Sequence, residues 1–284
     1  MLGKLLKHEW KMVWKVPTLL ICILMIIAAL AGLTFMLPAW DKEWIGLSLS
    51  GFAMFMVFYL ALIVVSTGIT IYFAVRYYKN MFTDEGYLTN TLPVSARSLL
   101  ISKTITVSAW NLIASVAVVV SIIVFLGITI LSLMAKDGSV AREFVEAFFD
   151  AARAVPEIMD KLYSGGLGIF CVSMILMMLA TVFGDAMMII GAVTLGQMFR
   201  KHRILGAVGA YFVIRVAKQL LYTVFVLPFM LVRMDALFYS TYMTESPFPV
   251  MTLWGLIMAG LSVATGLGLY FMSEYLIRRH LELE

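Results

Sequence analysis

Charge, cysteine and histidine are all scarce in this chain. Of its 284 residues, 13% are charged, two are cysteines and three are histidines. A soluble domain carries about 25% charged residues and roughly 45–50% apolar ones. Here 62% are hydrophobic and the mean hydropathy is +0.98. A water-soluble fold of this size has too little interior to hide that surface, so the bilayer must be the solvent for most of it. Cys22 and Cys171 lie in separate apolar runs, which excludes a disulfide framework and argues against a cysteine metal site. His8, His202 and His280 each stand beside a basic cluster. We read them as polar residues at membrane edges rather than metal ligands.

Catalytic motifs are missing too. No G-x-x-x-x-G-K-[ST] loop occurs to cradle a phosphate, and no H-E-x-x-H to hold zinc. The glycine- and serine-rich run Gly46 to Gly51 has no intramembrane histidine to act as a base for its serines. Covalent chemistry and a bound cofactor are therefore not expected of this chain. The net charge of +4 does not indicate nucleic acid, because the basic residues sit at the ends of hydrophobic runs rather than in one patch.

What is present is a series of long apolar runs. A bilayer core of about 30 Å needs roughly 20 helical residues. Six segments qualify: 18–37, 47–75, 104–134, 167–199, 204–232 and 250–277. The expected fold is all-α, a polytopic integral membrane protein forming one transmembrane domain over 1–284. Ala29-Leu30-Ala31 fits a cleavage pattern, but the apolar run continues to Leu37, so we read the first span as a retained anchor. Lysine and arginine set the orientation. With the N-terminus inside, the inner segments hold Lys4, Lys7, Lys11, Lys15, Arg76, Lys79, Arg97, Lys103, Arg200, Lys201, Arg203, Arg278 and Arg279. The outer ones hold only Lys42, Lys136, Arg142, Arg153, Lys161 and Arg233. The bias favours both termini in the cytoplasm, and the expected location is the cell membrane.

Two further segments have helical periodicity without the length or apolarity of a span. In residues 1–15, Leu2, Leu5, Leu6, Trp10, Val13 and Trp14 share one side and Lys4, Lys7, Lys11 and Lys15 the other. This predicts an interfacial helix drawn to anionic membrane lipid. Glu9 falls on the apolar side. Either it meets a basic partner on another element, or it snorkels to water. Residues 139–162, on the outside, place Phe144, Val145, Phe148 and Phe149 opposite Arg142, Glu143, Glu146, Asp150 and Arg153. That segment reads as an extracellular amphipathic helix between spans three and four. Covering the bundle and receiving exported cargo are both open to it.

The inner loop between spans two and three is the most informative segment. It reads Tyr78-Lys79-Asn80-Met81-Phe82-Thr83-Asp84-Glu85-Gly86-Tyr87-Leu88, followed by Leu92-Pro93-Val94-Ser95. Pro93 disfavours helix at Leu92, and Ser95 is placed to cap the helix leading into span three. A short helix carrying Phe82, Tyr87 and Leu88 beside Asp84 and Glu85 would suit a groove in another protein. This string resembles membrane subunits of ABC-2-type transporters, especially small ones from Gram-positive bacteria. Leu5-Leu6-Lys7-His8-Glu9-Trp10-Lys11 is similar to their N-terminal interfacial helix. The likeness in layout covers the whole chain, and the specific string covers about 77–103. The resemblance implies that residues 80–95, with Phe82, Thr83, Asp84, Glu85, Gly86, Tyr87, Leu88, Leu92 and Pro93, couple to a separate ABC ATPase subunit. It also implies that ATP and Mg bind on that partner, and that the permease works as a homodimer or as a heterodimer with a related chain. Ser164-Gly165-Gly166 is similar to the signature loop of ABC ATPases, but it lies on the outer side without a companion motif.

Charge inside the membrane completes the reading. Asp185 lies in the middle of span four, and Arg215 and Lys218 share a face of span five. Counted from the turn that joins the spans, all three fall at similar depth. An unpaired charge there costs at least ~2.5–3.5 kcal/mol, so an ion pair is expected. It either fixes packing or lines a transport path. Span four is long: Gly184, Gly191 and Gly196 permit a bend, or the helix projects from the membrane. Gly260, Ala264 and Gly268 form a small-residue ridge suited to helix packing. The expected function is outward movement of an amphiphilic peptide, lipid or drug, driven by ATP on a separate subunit. The alternative is a membrane scaffold or sensor that moves with an ATPase and transports nothing.

Overall fold

The fold is seen in a computed structural model describing residues 2–34, 45–83, 96–136, 142–143, 146–147, 149–150, 153, 167–199, 202–238 and 248–279. Among the described residues there are seven long helices and no strand. They are α1 Leu2–Val13, α2 Lys15–Leu33, α3 Ile45–Phe82, α4 Ala96–Lys136, α5 Leu167–Gly196, α6 Arg203–Phe238 and α7 Phe248–Arg279. The last six are long and apolar enough to cross a membrane, as the hydropathy runs predict. Helices suit such segments because each backbone N–H and C=O finds its partner within the segment, which hydrocarbon demands. Hydroxyls follow the same rule. Thr104, Thr106, Thr129 and Thr194 each donate to the carbonyl four residues back, at 2.8–2.9 Å.

Boundaries differ from expectation where packing rather than hydropathy decides them. The first span begins at Lys15 and not Thr18, and only Trp14, still in helical geometry, separates α1 from α2. Pro17 is tolerated there because the N–H groups of a first helical turn have no intrahelical acceptor. Helix α3 continues past the expected end at Val75 to Phe82, and α4 starts at Ala96 instead of Thr104. At 38 and 41 residues, these helices run roughly 55–60 Å, well beyond the hydrocarbon core. The added turns carry buried apolar residues, Tyr77, Met81 and Phe82 on α3 and Leu99 and Leu100 on α4. Helix α5 stops at Gly196, three residues short of Phe199. A tight turn follows, with N–H groups of Gln197, Met198 and Phe199 bonded three residues back. In the 139–162 segment the described residues are helical, Phe149 is exposed, and Arg153 pairs with Asp150 at 3.5 Å.

The chain divides into two compact units. One comprises residues 11–72 and 112–156. In it Leu24 and Ala28 of α2 are fully buried, and Phe58 stacks on Phe125 with ring centroids 4.7 Å apart. Gly32 lies so close to Ile128 that a Cβ would stand 2.8 Å from the Ile128 Cβ. The other unit comprises residues 1–10, 73–111 and 157–284. Its axis is α5, packed chiefly along α7 and secondly against α6. The second half of α5 is buried almost without interruption from Ala186 to Thr194.

Close approach of α7 to α5 uses a different ridge from the expected one. Gly255, Ala259, Ser262 and Gly266 are buried, and a Cβ on Gly266 would lie 2.7 Å from the Phe183 ring. Gly260, Ala264 and Gly268 lie on the opposite side of α7 and are exposed, with nothing within 4 Å of a Cβ on Gly260 or Gly268. Both ridges have the small-residue spacing, and only the one facing α5 is used within the chain. Ser262 donates to the Ala180 carbonyl at 3.0 Å, which adds a polar link across the close contact.

Gly184 is the point of closest approach. A Cβ there would overlap the Ser262 hydroxyl and sit 3.0 Å from the Ser262 carbonyl oxygen and 3.5 Å from Lys218 Nζ. Gly184→Ala should therefore lower stability by about 1–3 kcal/mol through overpacking. Gly268→Ala should leave it unchanged or raise it by up to about 1 kcal/mol, the helix-propensity gain of Ala over Gly. Thermal unfolding of the two variants in one detergent checks both, and equal loss in both would contradict the packing.

Candidate functional site

Glu9 and Asp185, which sit among apolar neighbours, each meet a lysine. Glu9 lies on the buried face of α1, with 6% of its surface exposed. The Nζ of Lys103, on α4, donates to Glu9 Oε1 and to Asn80 Oδ1 on α3, the latter at 2.6 Å. Lys103 and Asn80 are buried equally deeply, at 4% and 5% exposure. An ammonium only donates, so it orients the Asn80 amide with its oxygen inward. Next to this knot Trp10 stacks on Trp110, centroids 5.0 Å apart. Trp10 and Trp14 are each about half exposed, at the edges of the α1 interface rather than on its buried face.

The knot anchors both helix ends that flank residues 84–95, since Asn80 precedes them and Lys103 follows. The same ends enter one apolar cluster. Tyr77, Met81, Phe82 and Leu100 pack with Met187, Ile190 and Val193 of α5 and Tyr270 and Ile277 of α7. The hydroxyls of Tyr77 and Thr194 share a hydrogen bond of 3.3 Å. Phe82, expected as an exposed anchor, is instead 2% exposed and meets Tyr77 edge-on at 5.9 Å. Its ring is used inside the chain, because α3 extends far enough to bring it onto the cluster. Thr83 closes the helix by donating to the Lys79 carbonyl at 2.6 Å. Asp84, Glu85, Gly86, Tyr87, Leu88, Leu92 and Pro93 lie outside the described residues.

In the apolar stretch of α5 and α6, Lys218 Nζ stands 2.8 Å from Asp185 Oδ1. The side chains are unequally covered, with 10% of Lys218 exposed and 45% of Asp185. Gly184 makes room for the lysine, and Tyr222 offers its ring face 5.6 Å from Nζ. Arg215 has no ion-pair partner among the described residues and is exposed on the flank of α6. Beside it Gln219 is exposed, and the Tyr222 hydroxyl is buried without a hydrogen-bond partner among the described residues. A polar seam thus runs along α6 through Arg215, Lys218, Gln219 and Tyr222, with Asp185 across from it.

Sequence reading brought Asp185 and Lys218 to the same depth but missed the roles of Asn80, Lys103 and Trp110. A signal for Lys103 existed. Glu9 was the misfit on an apolar helix face, and Lys103 is a lone cation with an apolar run on either side, assigned to the same membrane edge. Among the described residues no three His, Cys, Asp or Glu side chains gather as a metal site, and Cys22 and Cys171 are exposed thiols. Comparison with family models, curated proteins and solved structures gives no match to this chain.

The knot should behave as a closed unit. Removing one partner of a buried ion pair costs about 3–5 kcal/mol, whereas replacing both with apolar residues is often neutral. Glu9→Leu and Lys103→Leu should each destabilise strongly, and the Glu9→Leu/Lys103→Leu double variant much less. A thermal-stability cycle on these variants measures the coupling, and additive losses would show that the pair does not act as one.

Proposed function

We propose that this chain is the membrane subunit of an ATP-driven exporter, moving an amphiphilic molecule outward while a separate ABC ATPase subunit turns over ATP. The observation that carries this reading is the frame around residues 84–95. Both helix ends beside that loop are fastened by the Glu9–Lys103–Asn80 knot and by the Tyr77–Phe82–Leu100 cluster to α1, α5 and α7. A force on the loop would therefore reach the helices that carry Asp185 and Lys218 instead of dissipating in a flexible linker.

In this reading the loop faces the cytoplasm, Asp84, Glu85, Tyr87 and Leu88 provide the contact with the ATPase, and ATP with Mg belongs to that partner. Two copies, or this chain and a related one, would enclose the path. The polar seam of α5 and α6 favours export over a scaffold or sensor role. A scaffold gains nothing from three charged residues in its membrane core, while a path for an amphiphile needs polar groups along part of it.

Docking and packing separate cleanly by mutation. Tyr87→Ala with Asp84→Lys should weaken ATPase co-purification by about 2 kcal/mol or more, roughly thirtyfold, at unchanged thermal stability. Phe82→Ala should instead lower stability by about 3–5 kcal/mol, as loss of a buried aromatic ring does. Asp185→Asn should abolish ATP-driven uptake of cargo into inverted vesicles when uptake is normalised to the amount of folded complex. If ATP turnover by the complex moves no cargo in vesicles, the export reading fails.

A further inference from the structure

The membrane-core charges do not balance. Asp185 pairs with Lys218, and Arg215, three residues before Lys218 on α6, adds a second cation with no carboxylate against it among the described residues. Lys218 already holds Asp185 at 2.8 Å, whereas Arg215 lies exposed beside them. Arg215 is twelve residues into α6 from Arg203, roughly 18 Å along the axis. That puts it near the middle of the apolar span 203–228, where a charge is costly.

What covers this face must supply a negative charge. Lipid tails supply none. A second copy of this chain would bring its own surplus cation and double the imbalance. The groups around Arg215 are arranged for an acceptor-rich ligand. A guanidinium presents a planar fork that matches phosphate or carboxylate. Gln219 lies one turn on and is exposed, while the Tyr222 hydroxyl, two turns on, is buried without a hydrogen-bond partner among the described residues. Around them the exposed side chains of α6, among them Phe212, Val216 and Leu220, are apolar.

We propose that the α5–α6 seam is a binding site for an amphiphile with an anionic head, a phosphate or a carboxylate, with Arg215 as the principal contact. The head lies against Arg215 and the chain against the apolar side of α6. Lys218 is held by Asp185 and shapes the site without being the free charge. That the bound molecule is cargo rests on the export reading, whereas the binding itself does not.

The test uses the full chain in phosphatidylcholine nanodiscs, titrated with octyl phosphate, octyl trimethylammonium and octyl glucoside, with thermal shift as readout. Octyl phosphate should bind at least about tenfold more tightly than the other two, the scale of one charge-assisted contact. Arg215→Gln should remove that preference and Arg215→Lys should retain most of it, which separates loss of the site from loss of the fold. Lys4→Gln/Lys7→Gln on α1 controls for surface attraction and should change nothing. Nanodiscs containing phosphatidylglycerol distinguish the sources: competition assigns the site to a lipid head group, and none assigns it to a free amphiphile. Inorganic phosphate alone should not compete. An unchanged preference in Arg215→Gln, or none in the unaltered chain, overturns the proposal. Binding without ATP-driven release by the reconstituted complex would leave the site standing and remove the export reading.

Discussion

Hydrocarbon offers no hydrogen bonds, so each polar group that this chain carries into the membrane must find a partner in protein. Most of the architecture follows from that constraint. Threonine hydroxyls fold back onto their own helices. Ser262 crosses to the Ala180 carbonyl, and Gly184 is bare so that Ser262 and Lys218 can approach. These cross-links gather at the middle of α5, just before its continuously buried stretch from Ala186 to Thr194. Apolar packing alone discriminates little between one helix arrangement and another in lipid, because tails are as apolar as leucine. The polar links and small-residue contacts supply the discrimination.

The spans were legible because their signal is additive over twenty residues. Hydropathy finds six without reference to any contact, and α2–α7 are the helices apolar enough to match. The meeting of Asp185 with Lys218 was legible for a related reason: two helices joined by a short turn bring residues at equal distance from it to equal depth. What was not legible depended on long-range packing. The extra turns of α3 and α4 exist because Tyr77, Met81 and Leu100 bury themselves on α5 and α7. No local pattern distinguishes that from a loop bearing aromatics. Phe82 looked like an anchor for a partner for the same reason. On α7 the sequence reading picked the Gly260–Ala264–Gly268 ridge, whereas the position of Phe183 and Gly184 on α5 selects Gly255, Ala259, Ser262 and Gly266.

The two charge sites share a chemistry and differ in closure. At Glu9, one ammonium meets one carboxylate and one amide oxygen, and all three side chains are buried. Nothing about that knot requires a further molecule, and a neutral, fully covered cluster has little to offer one. It acts by tying α1 to the ends of α3 and α4.

At Asp185 the account does not close. The carboxylate is nearly half exposed, the lysine is covered, and a second cation stands outside the pair. If fixing the helices were the whole purpose, Asp185 and Lys218 would suffice, and an uncharged residue at 215 would avoid a desolvation cost of about 2.5–3.5 kcal/mol. The extra cation is therefore the feature that packing does not explain. In the proposal made above, the anionic head at Arg215 is what offsets that cost. An open, singly charged seam along a membrane helix is the place where this fold can meet another molecule.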